Sequence, residues 1–193
     1  MIKNILLCGV GGQGIVLTSK LIASASMEKG LEVMSAETIG MAQKGGSVFS
    51  FLRLAGSDER IYSPMFAEGQ ADLIIAFEPA EAVRMLPYLR DSGAVIVNST
   101  PVMPVTAALR ASDYSGAEMI GYLRENVDNV SVIDGSSLCR SIGSPRVLNM
   151  LMLGAAASGG YLPFTINDAV AAMKRTVKPQ FAQLNEKALR SFE

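Results

Sequence analysis

The stretch CGVGGQGIVLTSK (residues 8–20) decides how the fold begins, because it holds four glycines within six residues. The apolar run KNILLCG (3–9) leads into it and is typical of a buried strand that ends at a glycine. Over residues 13–28, apolar side chains recur at intervals of three and four, which predicts an amphipathic helix. The stretch is therefore predicted to be the turn between a first strand and a first helix.

The glycines of this turn match the pattern G-x-G-x-x-G at Gly9, Gly11 and Gly14. In that pattern the first glycine permits a tight turn, the second leaves room for an anion, and the third lets helix and strand pack closely. Backbone N–H groups at the helix start then face a phosphate or a carboxylate, and Gly12 and the amide of Gln13 are further candidates for the contact. The alternative is a turn whose glycines serve packing alone.

Five more strands are predicted from short apolar runs, at residues 31–36, 47–55, 71–77, 93–99 and 130–134. We expect 31–36 to pair in parallel with the opening strand through a right-handed crossover. Strand 47–55 is expected to run antiparallel in the sheet, because no crossover helix fits between it and the preceding strand. The predicted fold class is α/β, a three-layer α/β/α Rossmann-like arrangement around a mostly parallel sheet, with a helical C-terminal portion.

The length of 193 residues suits a single domain over 1–193 with a self-sufficient core. Within it, 1–143 is predicted to form the α/β sheet core and 144–193 the C-terminal helices, because no strand-like run follows residue 145. Thr165 or Asn167 is the expected start of the second of these helices.

The composition excludes several classes of function. A net charge of −1 gives no basic surface for nucleic acid. Two unpatterned cysteines, Cys8 and Cys139, and no histidine exclude a structural zinc site and a four-cysteine iron–sulfur cluster within the chain, so no metal site is expected. The longest apolar run, 147–157, is too short to cross a bilayer, and no secretory signal is recognisable. We therefore expect a cytoplasmic protein.

A second glycine-rich loop, TIGMAQKGGSV (38–48), contains Lys44, Gly45 and Gly46. It is either an anion contact or a hairpin approach to the following strand. Asn98 ends a predicted strand, where open α/β sheets place ligand groups, although a turn-stabilising role fits it equally. A free-standing NAD- or FAD-binding oxidoreductase is an alternative function, since Glu37 lies where such sites hold the ribose.

Residues with independent catalytic potential are few, and no catalytic residue is assigned. Cys8 and Cys139 are expected to pack in the core, although Arg140 beside the second favours a lowered thiol pKa. Glu78 and Glu81 fit the positive end of a helix better than an acid–base pair. Serines after Asp134 are expected to cap the next helix.

Five blocks occur in order along the chain: GVGGQG, GMAQKGGSV, FEPAEAVRMLPYL, VIVNSTPVMP and VLNMLMLGA. Together they resemble the gamma-type (domain III) component of 2-oxoacid:ferredoxin oxidoreductases, and among these the indolepyruvate type. The resemblance covers nearly the whole chain. One departure is Lys44, where the family commonly has arginine, because a lysine cannot form the bidentate fork of a guanidinium.

This resemblance implies an accessory catalytic subunit that is inactive alone. The reaction it implies is oxidative decarboxylation of a 2-oxoacid, such as indolepyruvate or another aryl pyruvate, to an acyl-CoA. Coenzyme A would be the co-substrate, and a large alpha subunit would carry thiamine diphosphate with magnesium and the iron–sulfur clusters, passing electrons to ferredoxin in a hetero-oligomer. The two glycine loops and Asn98 are the implied contacts for coenzyme A. A non-catalytic binding or scaffold protein is the third possibility.

Overall fold

The computed structural model describes residues 2–39, 46–103 and 114–193. Within these ranges six strands form one sheet in the order β2-β3-β1-β4-β5-β6. The strands are β1 (Lys3–Val10), β2 (Glu32–Ile39), β3 (Ser47–Ala55), β4 (Ala71–Ala76), β5 (Leu89–Asn98) and β6 (Val130–Ile133). The pairs β1–β4, β4–β5 and β5–β6 are parallel, whereas β3 is antiparallel to both of its neighbours.

Helices cover both faces of this sheet. They are α1 (Ile15–Glu28), α2 (Pro79–Met85), α3 (Gly116–Asn126), α4 (Gly135–Ile142), α5 (Leu148–Ser158), α6 (Ile166–Thr176) and α7 (Pro179–Leu189). Short 3-10 turns lie at Leu86–Tyr88, Pro145–Val147 and Arg190–Phe192. One apolar core joins the sheet to α1 and the helices from α4 onward, and a second joins it to α2 and α3. The predicted three-layer α/β class is confirmed.

The central strands are apolar along their length because both of their faces are covered. In β1, Ile5 and Leu7 enter the first core while Leu6 and Cys8 enter the second, and all four are fully buried. This double burial is why an uninterrupted apolar run, rather than an alternating one, marked the strand in the sequence.

The predicted pairing of the first two strands is wrong. β3 lies between β1 and β2, and Phe51 of β3 stands opposite Leu6 of β1 on one side and Ala36 of β2 on the other. β2 therefore runs parallel to β1 without contacting it, and the antiparallel direction predicted for β3 is confirmed. The order differs because β3 folds back into the open edge that β1 offers, a long-range contact that local patterns do not report.

Helix starts follow simple capping rules. Thr165 and Asp168 form a reciprocal capping box at the start of α6, so Asn167 is not the cap. At α4 the cap is Asp134, whose carboxylate accepts from the backbone N–H of Ser137, and the expected serine cap is wrong. A carboxylate at this position also complements the helix dipole. No helix in the described ranges has the length and apolar character needed to cross a membrane.

Candidate functional site

The glycine turn connects the carboxyl end of β1 to α1. Glycine is required at its different positions for different physical reasons. Gly14 caps α1 with φ +85°, and a Cβ there would lie 2.9 Å from the Asn149 Cβ. Gly12, at the exposed tip, has φ +101° with open space around it. A Cβ at Gly9 would lie 2.8 Å from the Phe77 Cβ and 2.6 Å from Gln13 Oε1. Packing therefore requires glycine at positions 9 and 14, and backbone conformation requires it at positions 12 and 14.

Two side-chain amides tie the carboxyl ends of three strands together. Gln13 Oε1 accepts from the Val10 N–H at 2.7 Å, and Gln13 Nε2 donates to the Phe77 carbonyl at 3.0 Å. Asn98 Nδ2 donates to the same carbonyl at 3.0 Å, and its Oδ1 accepts from the Gly135 N–H at 3.2 Å. These amides hold β1, β4, β5 and the start of α4 in fixed relative positions. Their direct contact with a ligand stays a prediction.

The two glycine loops meet in space. The backbone N–H of Gly11 donates to the Gly46 carbonyl at 2.9 Å, so the first turn is joined to the approach to β3. Lys44 and Gly45 lie outside the described residues, and their predicted anion contact remains untested. The Gly11–Gly46 bond nonetheless brings Gly46, near the end of the second loop, to the carboxyl edge of the sheet beside the first turn.

A cavity of about 600 Å³ opens beside these strand ends. Its walls include Gln13, Asn98, Thr100, Gly135, Ser136 and Cys139. Its position beside the carboxyl ends of β1 and β5 is where open α/β sheets place ligands. Of the predicted site residues, the cavity thus brings Gln13 and Asn98 together.

Sequence reasoning missed the α4 side of this cavity. Of the described residues that line it, only Arg140 carries a charge, and this side chain is exposed with one hydrogen bond, to Ser137 Oγ at 3.1 Å. Burial raises the pKa of the Cys139 thiol, so the predicted packed cysteine is confirmed and a reactive thiolate is not. The sequence offered one signal for this side of the cavity: Asp134 ends a predicted strand and is followed directly by the short helix α4.

The buried carboxylate of Glu78 accepts hydrogen bonds from three nearby residues of this chain. Glu78 is only 2% exposed and accepts from the backbone N–H of Glu81 at 3.0 Å and of Val102 at 3.3 Å, and also from the Tyr114 hydroxyl. Burial and this carboxylate raise the pKa of Tyr114 well above its usual range. Glu81 in turn accepts from Ser47 Oγ at 2.5 Å. Both acids therefore act as hydrogen-bond acceptors at the start of α2.

The chain does not fit an iron–sulfur cluster. Such clusters need four thiolates, whereas Cys8 lies in β1, Cys139 lies in α4, and both are buried. Burial, with Glu81 and Glu78 nearby, raises the pKa of Cys8 well above its usual value. No group of three metal-ligating side chains converges in the described part of the chain. Asp134 and Gly135 resemble the start of the magnesium-diphosphate motif of thiamine enzymes, but the Asp134 carboxylate caps α4.

The dinucleotide alternative loses its main support. That site needs an acidic residue at the end of the strand next to β1, where it reaches the ribose of the bound nucleotide. Glu37 lies in β2, and β3 separates β2 from β1. The acid is therefore one strand too far from the glycine turn.

Comparison with known proteins defines the class to which this fold and site belong. The family model for pyruvate ferredoxin/flavodoxin oxidoreductase matches residues 4–192, and the chain belongs to this family. Indolepyruvate oxidoreductase subunit IorB of Archaeoglobus fulgidus is 37% identical over 188 residues, which are 97% of this chain and 92% of that protein. The family resemblance deduced from the sequence is confirmed.

Solved structures share the fold. The PORC subunit of pyruvate oxidoreductase from Thermotoga maritima has a TM-score of 0.70 at 20% identity, over 98% of this chain and 93% of its own. The 2-oxoglutarate:ferredoxin oxidoreductase of Magnetococcus marinus, solved with 2-oxoglutarate, coenzyme A and succinyl-CoA bound, has a TM-score of 0.73 at 21% identity. That match covers 97% of this chain and 30% of that one. Because IorB and PORC are named as subunits, a hetero-oligomeric oxidoreductase complex is supported.

Proposed function

We propose that this chain is the accessory subunit of a 2-oxoacid:ferredoxin oxidoreductase whose substrate is indolepyruvate or another aryl pyruvate. The observation that carries this proposal is the match to an indolepyruvate oxidoreductase subunit along almost the entire length of both chains. The complex would decarboxylate the 2-oxoacid oxidatively, transfer the acyl group to coenzyme A and pass electrons to ferredoxin. We place it in the cytoplasm.

The proposed division of cofactors between this chain and its partner is supported by the residues of this chain. The chain has two cysteines, both buried, whereas an iron–sulfur cluster needs four cysteine ligands. We therefore assign the clusters to a large partner subunit. Thiamine diphosphate, with its magnesium ion, is assigned to the same partner, because Asp134 is committed to capping α4. The electron sink and the electron carriers are then supplied from outside this chain.

The contribution of this chain itself would be to help hold coenzyme A. The cavity at the carboxyl edge has the volume of a typical ligand site and apolar walls, with Arg140 as its cation. We expect Arg140 to meet a phosphate. The first glycine turn and Gly46, at the end of the second loop, lie along the same edge of the sheet, and Lys44 and Gly45 precede Gly46 in the sequence. Gln13 and Asn98 would act by fixing the strand ends that form the cavity wall.

Replacing Arg140 with glutamine is expected to raise the Kd of coenzyme A for the assembled complex about fivefold, since an exposed ion pair contributes up to about 1 kcal/mol. Isothermal titration of coenzyme A into the complex measures this. Arg124→Gln is the matched control, because Arg124 is an exposed arginine in the last turn of α3, on the opposite face of the sheet. Equal affinities in both variants and the native complex would refute a role for this cavity.

The second glycine loop is tested by Lys44→Ala in the same titration. If Lys44 contacts a phosphate of coenzyme A, the Kd should rise by a similar factor of about five, and the increase should shrink as salt screens the charge. Lys20→Ala, at an exposed position of α1, is the control. An unchanged Kd at low salt would remove Lys44 from the coenzyme A site.

A further inference from the structure

A smaller cavity of about 360 Å³ lies between α1, α5 and α7, and nothing in the proposed function uses it. Its apolar walls are formed by Leu17, Val147, Val177, Phe181 and Leu184. The ring of Phe181 is 41% exposed although it borders this cavity. Ser144 lines both this cavity and the larger one, so the two are neighbours on the surface. The walls provide an apolar surface for a compact, flat or branched group.

The interior of this cavity contains a polar group without a partner. Asn149 is 5% exposed and lines the cavity, and its amide has no hydrogen-bond partner among the described residues. Asn185, also buried, donates from Nδ2 to the Phe181 carbonyl at 2.8 Å, and its Oδ1 receives no bond from the described part of the chain. Neither the Asn149 amide nor Asn185 Oδ1 is fully enclosed without a partner, so both reach the cavity space, where a ligand can bond to the Asn149 amide.

The charge at the cavity is positive. Arg146 is exposed and lines the cavity, and no described carboxylate pairs with its guanidinium. No acidic residue is among the described lining residues. An apolar cavity with an internal amide and an unpaired guanidinium at its border is complementary to an anion that has an apolar body.

We propose that this smaller cavity is a second binding site, for a small monoanion with an aromatic or branched apolar body. The apolar body packs against Leu17, Val177 and Leu184, the acid group pairs with Arg146, and a polar atom of the ligand bonds to the Asn149 amide. The site is separate from the proposed coenzyme A cavity and does not depend on it. The volume suits a small molecule.

The test uses the purified full chain and 3-phenylpropanoate as the probe, with uncharged 3-phenylpropan-1-ol as the matched ligand. Nitrogen-15 NMR titration should show saturable shifts of the Asn149 side-chain amide and of the Val177 and Leu184 backbone amides. The acid should bind at least fivefold more tightly than the alcohol. Arg146→Gln should remove this preference, whereas Arg124→Gln, on the opposite face, should keep it. Arg146 is exposed, so an unchanged melting temperature is expected and confirms that the variant is folded.

Three results would overturn the proposal. The first is the absence of saturable shifts at Asn149 with millimolar probe, which is also the result expected if only a side chain of a partner protein fills the cavity. The second is equal binding of acid and alcohol, or an unchanged preference in Arg146→Gln. The third is competition between the probe and coenzyme A in the assembled complex, because competition would place the probe in the larger cavity.

Discussion

Replacement of Gly14 by alanine is expected to lower the free energy of unfolding by about 3 kcal/mol. Two effects add at this position. The φ of +85° is unfavourable for a residue with a Cβ, which costs about 1–2 kcal/mol. The new methyl group would also lie 2.9 Å from the Asn149 Cβ, and overpacking of this kind costs about 1–3 kcal/mol. Urea unfolding of the purified chain measures the sum.

Gly12→Ala separates the two effects. Gly12 also has a positive φ, +101°, and no atom of the described residues lies within 4 Å of the added Cβ, so this variant should show the conformational part alone. The double variant Gly14→Ala/Asn149→Ala should recover only part of the loss. It removes the Asn149 Cγ and Nδ2 atoms, which lie 3.0 and 3.1 Å from the added Cβ, but keeps the Asn149 Cβ at 2.9 Å. If Gly12→Ala destabilises the chain as much as Gly14→Ala, close packing of α5 on the glycine turn does not explain the need for glycine.

Replacement of Glu78 by alanine is expected to destabilise the chain by about 3 kcal/mol and to raise the KM for coenzyme A in the assembled complex. The carboxylate is the acceptor for three donors: two backbone N–H groups and the Tyr114 hydroxyl. Hydrogen bonds to a charged group contribute about 1.5–3 kcal/mol each, and they are not additive. Val102, one of these donors, also lines the larger cavity, which we propose holds coenzyme A, so its displacement should weaken binding of coenzyme A.

Two variants show whether the effect comes from the bonds or from the charge. Tyr114→Phe removes a single donor and should cost about 1 kcal/mol. Glu118→Ala removes an exposed acid from the first turn of α3, where only the helix dipole is affected, and should cost less than about 1 kcal/mol. If Glu78→Ala were no worse than Glu118→Ala, the buried carboxylate would not organise the cavity wall.

Structural features that depend on short stretches of sequence could be predicted. Apolar runs identified β1, β4 and β5 because strands covered on both faces need no polar positions. Thr165 was one of two predicted helix starts because its hydroxyl can accept from a backbone N–H nearby in the sequence. The glycine turn was recognised for the same reason, since a positive φ is a local requirement.

The candidate site was only half predictable. Gln13 and Asn98 were identified, but their shared acceptor, the Phe77 carbonyl, was not. Ser136 and Arg140 were missed because more than a hundred residues separate them from the glycine turn, and no local pattern links the two. The exclusion of a four-cysteine cluster within the chain needed only the number of cysteines.

The sequence by itself determined the family, the α/β class and the limits on chemistry, because order of motifs, periodicity and composition are properties of the chain alone. Tertiary structure decided the insertion of β3 between β1 and β2, the joining of the two glycine loops through Gly11 and Gly46, and the presence of both cavities. Each of these depends on contacts between residues far apart in the chain. Such contacts are selected by the packing of the whole sheet and its helices, which no local segment encodes.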